Sequence, residues 1–169
     1  MLKEIMEQPY SLSQTMLGRV KNNNITLGGI QSYTKPLINT KRIIIIGCGT
    51  SWHAGLVAEY FFEKYIKVPV EVEYASEFRY RFPIINKGDI VFVISQSGET
   101  ADTLEATRIA KKKGAIVLGI VNAVGSSIAR ITDEGCDLHA GPEIGVASTK
   151  AFTSQLMVLL MIGIKVAVI

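Results

Sequence analysis

The sequence predicts an α/β fold: a three-layer α-β-α arrangement around a five-stranded parallel sheet, preceded by an N-terminal helical arm. Three observations predict it. From Lys41 onward, apolar stretches of strand length alternate with stretches of helical length. The first of these, Arg42–Ile46, carries four consecutive isoleucines, the pattern of a strand buried on both faces. Later strands recur at intervals that leave room for one crossover helix each, which implies parallel pairing with right-handed connections. Apolar residues make up 48% of the 169 and charged residues 20%, a balance that supports a single packed domain rather than a disordered chain.

Residues 1–40 read as the arm. Leu12, Met16 and Val20 repeat at helical spacing, with Pro9 at the helix start and Asn22-Asn23-Asn24 as its stop. Gly28-Gly29 opens a turn before a second short helix over 30–39. Residues 41–169 read as the α/β domain. After the strand 42–46 come a helix over 51–65, a strand over 70–74 and a short helix over 75–81. A third strand is expected over 89–94, then a helix over 100–113 that Gly114 ends. A fourth strand spans 115–121, a Gly125-Ser126-Ser127 turn leads into one helical turn, and a short fifth strand spans 135–139. The final helix starts at Ser148.

Composition excludes several kinds of function. A net charge of +3 from 18 basic and 15 acidic residues is too small and dispersed for a nucleic-acid surface. Cys48 and Cys136 fall in separate elements, which suits a reduced, cytoplasmic protein. With two histidines and two cysteines, none at ligand spacing, no metal site is expected. Glu4, Glu7 and Arg19 interrupt the N-terminal segment, unlike a signal peptide. The apolar stretch Leu156–Ile169 is broken by Lys165 and falls short of the roughly 20 residues of a membrane span. Such a helix needs cover, so the ending reads as a cut inside a longer protein or as a surface buried by a second domain or subunit.

In an open parallel sheet, ligands bind beyond the carboxyl ends of the strands, where strand order reverses. In the order 2-1-3-4-5 that point lies between the first and third strands. The loops leaving them are Gly47-Cys48-Gly49-Thr50-Ser51 and Ser95-Gln96-Ser97-Gly98-Glu99-Thr100. Both contain glycine, both are rich in hydroxyls, and both run into a helix. Helix N-termini attract anions, glycine admits close approach, and hydroxyls donate to anionic oxygens. Facing one crevice, the two loops form a neutral phosphate cradle. The competing reading is a pair of simple N-caps, each contributing about 1 kcal/mol.

Other motifs fit less well. Gly47 and Gly49 begin a dinucleotide fingerprint with Glu73 as its acid, but Trp52 occupies the third glycine position. No Walker loop occurs, and a hydrolase elbow at Ser97 would need glycine where Ser95 stands. Lys111-Lys112-Lys113 reads as a helix end, His53 as a helix residue near the crevice, and His139 as structural. Glu99 is placed to favour the N-terminus of its own helix.

Taken together, the stretches Lys3-Glu4-Ile5, Glu7-Gln8-Pro9, Gly18-Arg19, Cys48-Gly49-Thr50-Ser51, Ser95–Leu104, Gly125-Ser126-Ser127 and Glu143–Ala151 resemble the sugar isomerase (SIS) domain. The resemblance is to the isomerase part of the glutamine–fructose-6-phosphate aminotransferases (isomerising), also called glucosamine-6-phosphate synthases, and to its first SIS half. It implies a flavodoxin-like sheet and a fructose-6-phosphate or glucosamine-6-phosphate ligand, with no cofactor. By motif match, Ser95, Ser97 and Thr100 would hold the phosphate with Gln96 beside them. Thr50 and Ser51 would line the sugar side, and Val146 and Ser148 would close it.

Trp52 replaces the smaller aromatic usual in that family. The resemblance also implies a homodimer through SIS domains. It assigns to segments unmatched here a glutaminase domain and a second SIS half, which carries the proton-transfer glutamate, the ring-opening histidine and a C-terminal lysine. No catalytic residue is therefore expected in this chain, which would bind phosphosugar without turnover. A self-standing SIS sensor module and a SIS enzyme acting on fructosamine phosphates are the alternatives.

Overall fold

A computed structural model describes residues 1–168; Ile169, the end of the predicted apolar stretch, lies outside the described residues. The arm contains α1 (Leu2–Met6), α2 (Gln8–Met16), a hairpin of β1 (Val20–Lys21) and β2 (Asn24–Ile25), a 3-10 turn (Gly28–Tyr33) and α3 (Thr34–Asn39). The domain proper follows as β3 (Ile43–Gly47), α4 (Thr50–Tyr65), β4 (Val70–Tyr74), α5 (Ala75–Tyr80), β5 (Ile90–Ser95), α6 (Ala101–Lys112), β6 (Ile116–Val121), α7 (Ser127–Ile131), β7 (Glu134–Asp137) and α8 (Lys150–Ala167).

Strands β3 to β7 form a five-stranded sheet in the order β4-β3-β5-β6-β7, every neighbouring pair parallel. This is the predicted 2-1-3-4-5 order. The four isoleucines explain why β3 lies inside the sheet. Side chains alternate along a strand, so Ile43 and Ile45 enter one core while Ile44 and Ile46 enter the other. The first core is closed by α4, α8 and the arm residues Leu27, Ile30 and Leu37. The second is closed by α5, α6 and α7, through Phe78, Ala106, Ala110 and Ile128.

The arm departs from expectation in a physically clear way. The predicted helix through Val20 stops at Met16, because Gly18 takes a left-handed φ of +74°. Val20 then begins a strand, and the asparagine run turns the hairpin: Asn22 (φ 50°) and Asn23 (φ 58°) supply the two positive φ angles of a two-residue hairpin turn. On α2 the most buried side chains are Ser11 and Thr15, not the apolar stripe. Thr15 donates to the Leu138 carbonyl at 2.7 Å, tying the arm to the chain beyond β7. The second arm helix begins as a 3-10 turn, and the last sheet strand ends at Asp137 because His139 has a positive φ.

Helix α8 is long and apolar enough to cross a membrane, yet half of it is buried against α2 and α4. The cover that the sequence demands for this helix thus comes largely from the chain itself, leaving Leu160 and Ile164 partly exposed. Close packing is obtained at small residues. A Cβ on Gly55 of α4 would sit 2.8 Å from Val72 and 3.0 Å from Ile45. The tight helix–sheet approach that Trp52 seemed to forbid is therefore made one turn later.

A second close approach locks the arm onto β7, where a Cβ on Gly29 would fall 1.8 Å from the Gly135 carbonyl oxygen. Gly29→Ala should therefore force backbone apart and lower stability by about 1–3 kcal/mol, measured as a drop in urea midpoint. Gly28→Ala, where nothing lies within 4 Å, serves as the control.

Candidate functional site

The parallel register sets β3 and β5 level, with Ile46 opposite Val93, so the loops that leave them emerge side by side. They open on a cavity of about 390 Å³. Thr50 and Ser51 come from the first loop, Ser95, Gln96, Ser97 and Thr100 from the second, and Val146 and Ser148 from the segment before α8. All of the predicted site residues thus line one space. Its wall also includes Cys48 and Gly49 of the first predicted loop, Thr103 of α6, and Glu143, Gly145 and Ala147 of the segment before α8, none of which was assigned to the site from sequence. Thr103 was open to detection, since it lies one helical turn after Thr100 on the same face.

The hydroxyls are set by their partners. Ser95 Oγ accepts from the Gly98 amide at 3.0 Å, Ser97 Oγ from the Glu99 amide at 3.2 Å, and Ser51 Oγ from Gln155 Nε2 at 3.0 Å. Each oxygen already receives a hydrogen bond, so each keeps its own O–H proton to donate. Ser148 is opposite in sense: it donates to Glu143 Oε2 at 2.7 Å and keeps lone pairs to accept. One part of the cavity is therefore preset for an anionic acceptor and another for a hydroxyl donor. Among the described residues, no lysine or arginine lines it.

Glycines permit these loops. Gly98 has a φ of +67°, and a Cβ there would fall 1.9 Å from Ser126 Oγ. Gly49 has a φ of +56° with open space where a Cβ would stand, and its amide donates to the Tyr74 hydroxyl at 3.0 Å. Trp52 stacks near His53 and Tyr74, with ring centroids 5.0 and 5.1 Å away, and lies outside the cavity wall. His53 also stays outside, with Nδ1 2.9 Å from the Gly49 carbonyl oxygen.

The carboxylates near the site act on backbone. Glu99 does not serve its own helix as expected. It accepts from the Ser127 amide at 2.8 Å and so caps α7, a bond that lowers its pKa. Glu143 accepts from the Thr149 and Ala151 amides at 2.8 and 3.3 Å, capping α8. Glu73 pairs with Arg81 rather than facing a ligand. Of the lysine run, Lys111 binds Asp133 at 2.8 Å and Lys113 the Pro83 carbonyl at 2.6 Å. Among the described residues no group of His, Cys, Asp and Glu is arranged to hold a metal ion.

A larger cavity of about 740 Å³ lies between α1, α2 and residues 139–144. Its charged groups are already engaged with one another and with backbone: Lys150 binds Glu7 at 2.7 Å, and Glu4 binds the Ile144 amide at 2.6 Å. The smaller cavity, with its free hydroxyl donors at the sheet's carboxyl end, is the candidate site.

Residues 36–165 match the family model for the SIS domain. The chain belongs to the SIS domain family. A SIS domain accounts for the five-stranded sheet and the placement of the cavity at its carboxyl end. The chain is 56% identical over 169 residues to a glutamine–fructose-6-phosphate aminotransferase (isomerising) from Bacteroides thetaiotaomicron, spanning 99% of this chain and 28% of that protein. It is 59% identical over 165 residues to the protein of the same name from Chlorobaculum tepidum, spanning 96% and 27%. This SIS chain thus spans about a quarter of the length of these relatives. Among solved structures, it matches the C-terminal domain of the glucosamine–fructose-6-phosphate aminotransferase from Francisella tularensis with a TM-score of 0.92 and 46% identity, over 98% of this chain and 47% of that one.

Glu4 gives the region a measurable pH dependence. The Ile144 and Gly145 amides, which donate to its carboxylate, lower its pKa from the ordinary 4.5. The folded state therefore holds the proton less readily than the unfolded chain. The stability this provides is complete above pH 4.5 and is lost as pH falls below it. The urea midpoint of the wild type should fall more steeply than that of Glu4→Gln across this window, the two converging at its acid end. Parallel curves would contradict the assignment.

Proposed function

We propose that this chain is the first SIS half of a glutamine–fructose-6-phosphate aminotransferase (isomerising). In that role it binds fructose-6-phosphate or glucosamine-6-phosphate for ketose–aldose isomerisation in amino-sugar synthesis. The observation that carries this reading is the pair of preset hydroxyl donors on Ser95 and Ser97, facing one cavity with Thr100. An anion with several oxygens satisfies such donors without a buried countercharge. The Ser148 end, with its lone pairs free, suits the hydroxyls of a sugar. High identity to proteins carrying that enzyme name supports the same substrate class.

In this role Ser95, Ser97 and Thr100, with Gln96, hold the phosphate. Thr50 and Ser51 line the sugar side, and Val146 and Ser148 close it. The chain's contribution to catalysis is positioning: an anchored phosphate fixes the open-chain sugar so that a base can move a proton between C1 and C2. That base lies outside this chain, which binds ligand without turning it over. The same proposal includes a cytoplasmic, homodimeric whole enzyme, with residues 1–40 as an arm on the 41–169 domain; the partly exposed Leu160 and Ile164 offer α8 a contact surface.

A thermal-shift titration tests the binding. Fructose-6-phosphate at 100 times its dissociation constant should stabilise the chain by about 2.7 kcal/mol, while fructose at the same concentration should give no shift. Ser97→Ala combined with Thr100→Ala should abolish the effect. Stabilisation that survives the double substitution would place the ligand elsewhere.

A further inference from the structure

We infer that Glu4 is a positioning residue, through which the N-terminal arm holds the segment 143–148 in place as the sugar-side wall of the cavity. The inference rests on the phosphosugar reading of that cavity. It begins from an oddity of α1: every residue of this short helix is exposed except its glutamate, which is 7% exposed. A carboxylate turned inward from so slight a helix needs strong partners. Glu4 has them. Oε1 accepts from the Ile144 amide at 2.6 Å and the Gly145 amide at 3.1 Å, and Oε2 lies 3.2 Å from the Gly145 amide.

Gly145 is shaped to this contact. Its backbone is not in the left-handed region, so its conformation does not require glycine. The space does, because a Cβ there would lie 2.5 Å from Glu4 Oε2. The segment has little else to hold it at this point. Ile144 is 90% exposed and Val146 fully so, and apolar packing therefore does not fix the wall. Glu143 secures the end that joins α8, and Glu7 binds the nearly buried Lys150 at its start. Among the described residues, Glu4 alone reaches the middle by a hydrogen bond, across 140 residues of sequence.

The two other loops are continuations of β3 and β5 and need no such tether. The anion-binding side is thus built into the sheet, whereas the wall carrying Val146 and Ser148 depends on the arm. This asymmetry gives a readout that general destabilisation would not reproduce. In isothermal titrations of the full chain, Glu4→Ala should weaken fructose-6-phosphate about tenfold, the size expected for losing hydrogen bonds to a charged group. Inorganic phosphate should bind Glu4→Ala as it binds the wild type. Gly145→Ala should also weaken the sugar phosphate, but by less in the Glu4→Ala background, where the clash is gone.

Hydrogen exchange at the Ile144 and Gly145 amides should quicken in Glu4→Ala. Glu4→Gln, which keeps one acceptor, should show a smaller change of the same kind and serves if Glu4→Ala folds poorly. Unchanged affinity for fructose-6-phosphate, or equal loss of both ligands, would overturn the inference. If the wild type binds no fructose-6-phosphate, the phosphosugar reading itself fails. The exchange rates then judge the tether alone: unchanged protection at both amides refutes it.

Discussion

The site depends on one constraint: β3 is apolar on both sides and must be covered on both sides. A strand with isoleucine at every position from Ile43 to Ile46 cannot sit at a rim or face water. It therefore takes an interior position, with helices above and below and parallel neighbours on either hand. Once β3 is so placed, β5 pairs with it in fixed register, and the loops that follow them open at the same end of the sheet. A slip of one residue would exchange the two cores and rotate every hydroxyl away from the cavity. The chemistry of the cavity is in this sense inherited from the packing of the core.

What the residue pattern disclosed, and what it hid, divides along a physical line. Repeating apolar stretches announced the parallel sheet and the first two loops, because strand burial and helix capping are written over short distances, whereas the strand order was assumed. The arm was harder. Leu12, Met16 and Val20 share a helical period, yet a single glycine at position 18 breaks the helix, and the asparagines turn a hairpin. The helix–sheet approach at Gly55 hid behind a fingerprint that looks for glycine three residues earlier. Glu99 was placed correctly near a helix start, but the helix it serves is α7, reached by the fold of the chain and not by sequence proximity.

The third wall was the least visible of all. Val146 and Ser148 entered the site by family resemblance, and no periodicity around Glu143–Ala151 would have nominated them. Their segment is bonded by two carboxylates, Glu143 a few residues away and Glu4 about 140 residues back, and the second contact leaves no trace in composition or spacing. Hydroxyl polarity within the cavity was similarly hidden. Whether a serine donates or accepts depends on its neighbours, such as Glu143 for Ser148 within one segment and Gln155 for Ser51, and the latter pair comes together only when α4 and α8 are packed.

The contact between Gly29 and Gly135 has a further consequence. Strand β7 is the outermost of the sheet on one side, and outermost strands expose unpaired backbone groups that can recruit strands from other molecules. The 3-10 turn packs against β7 at carbonyl-contact distance. At the opposite margin β4 carries Glu71 and Glu73 among its five residues, and charge there discourages the same kind of pairing. The packing at β7 and the charge on β4 thus fall on the two outermost strands.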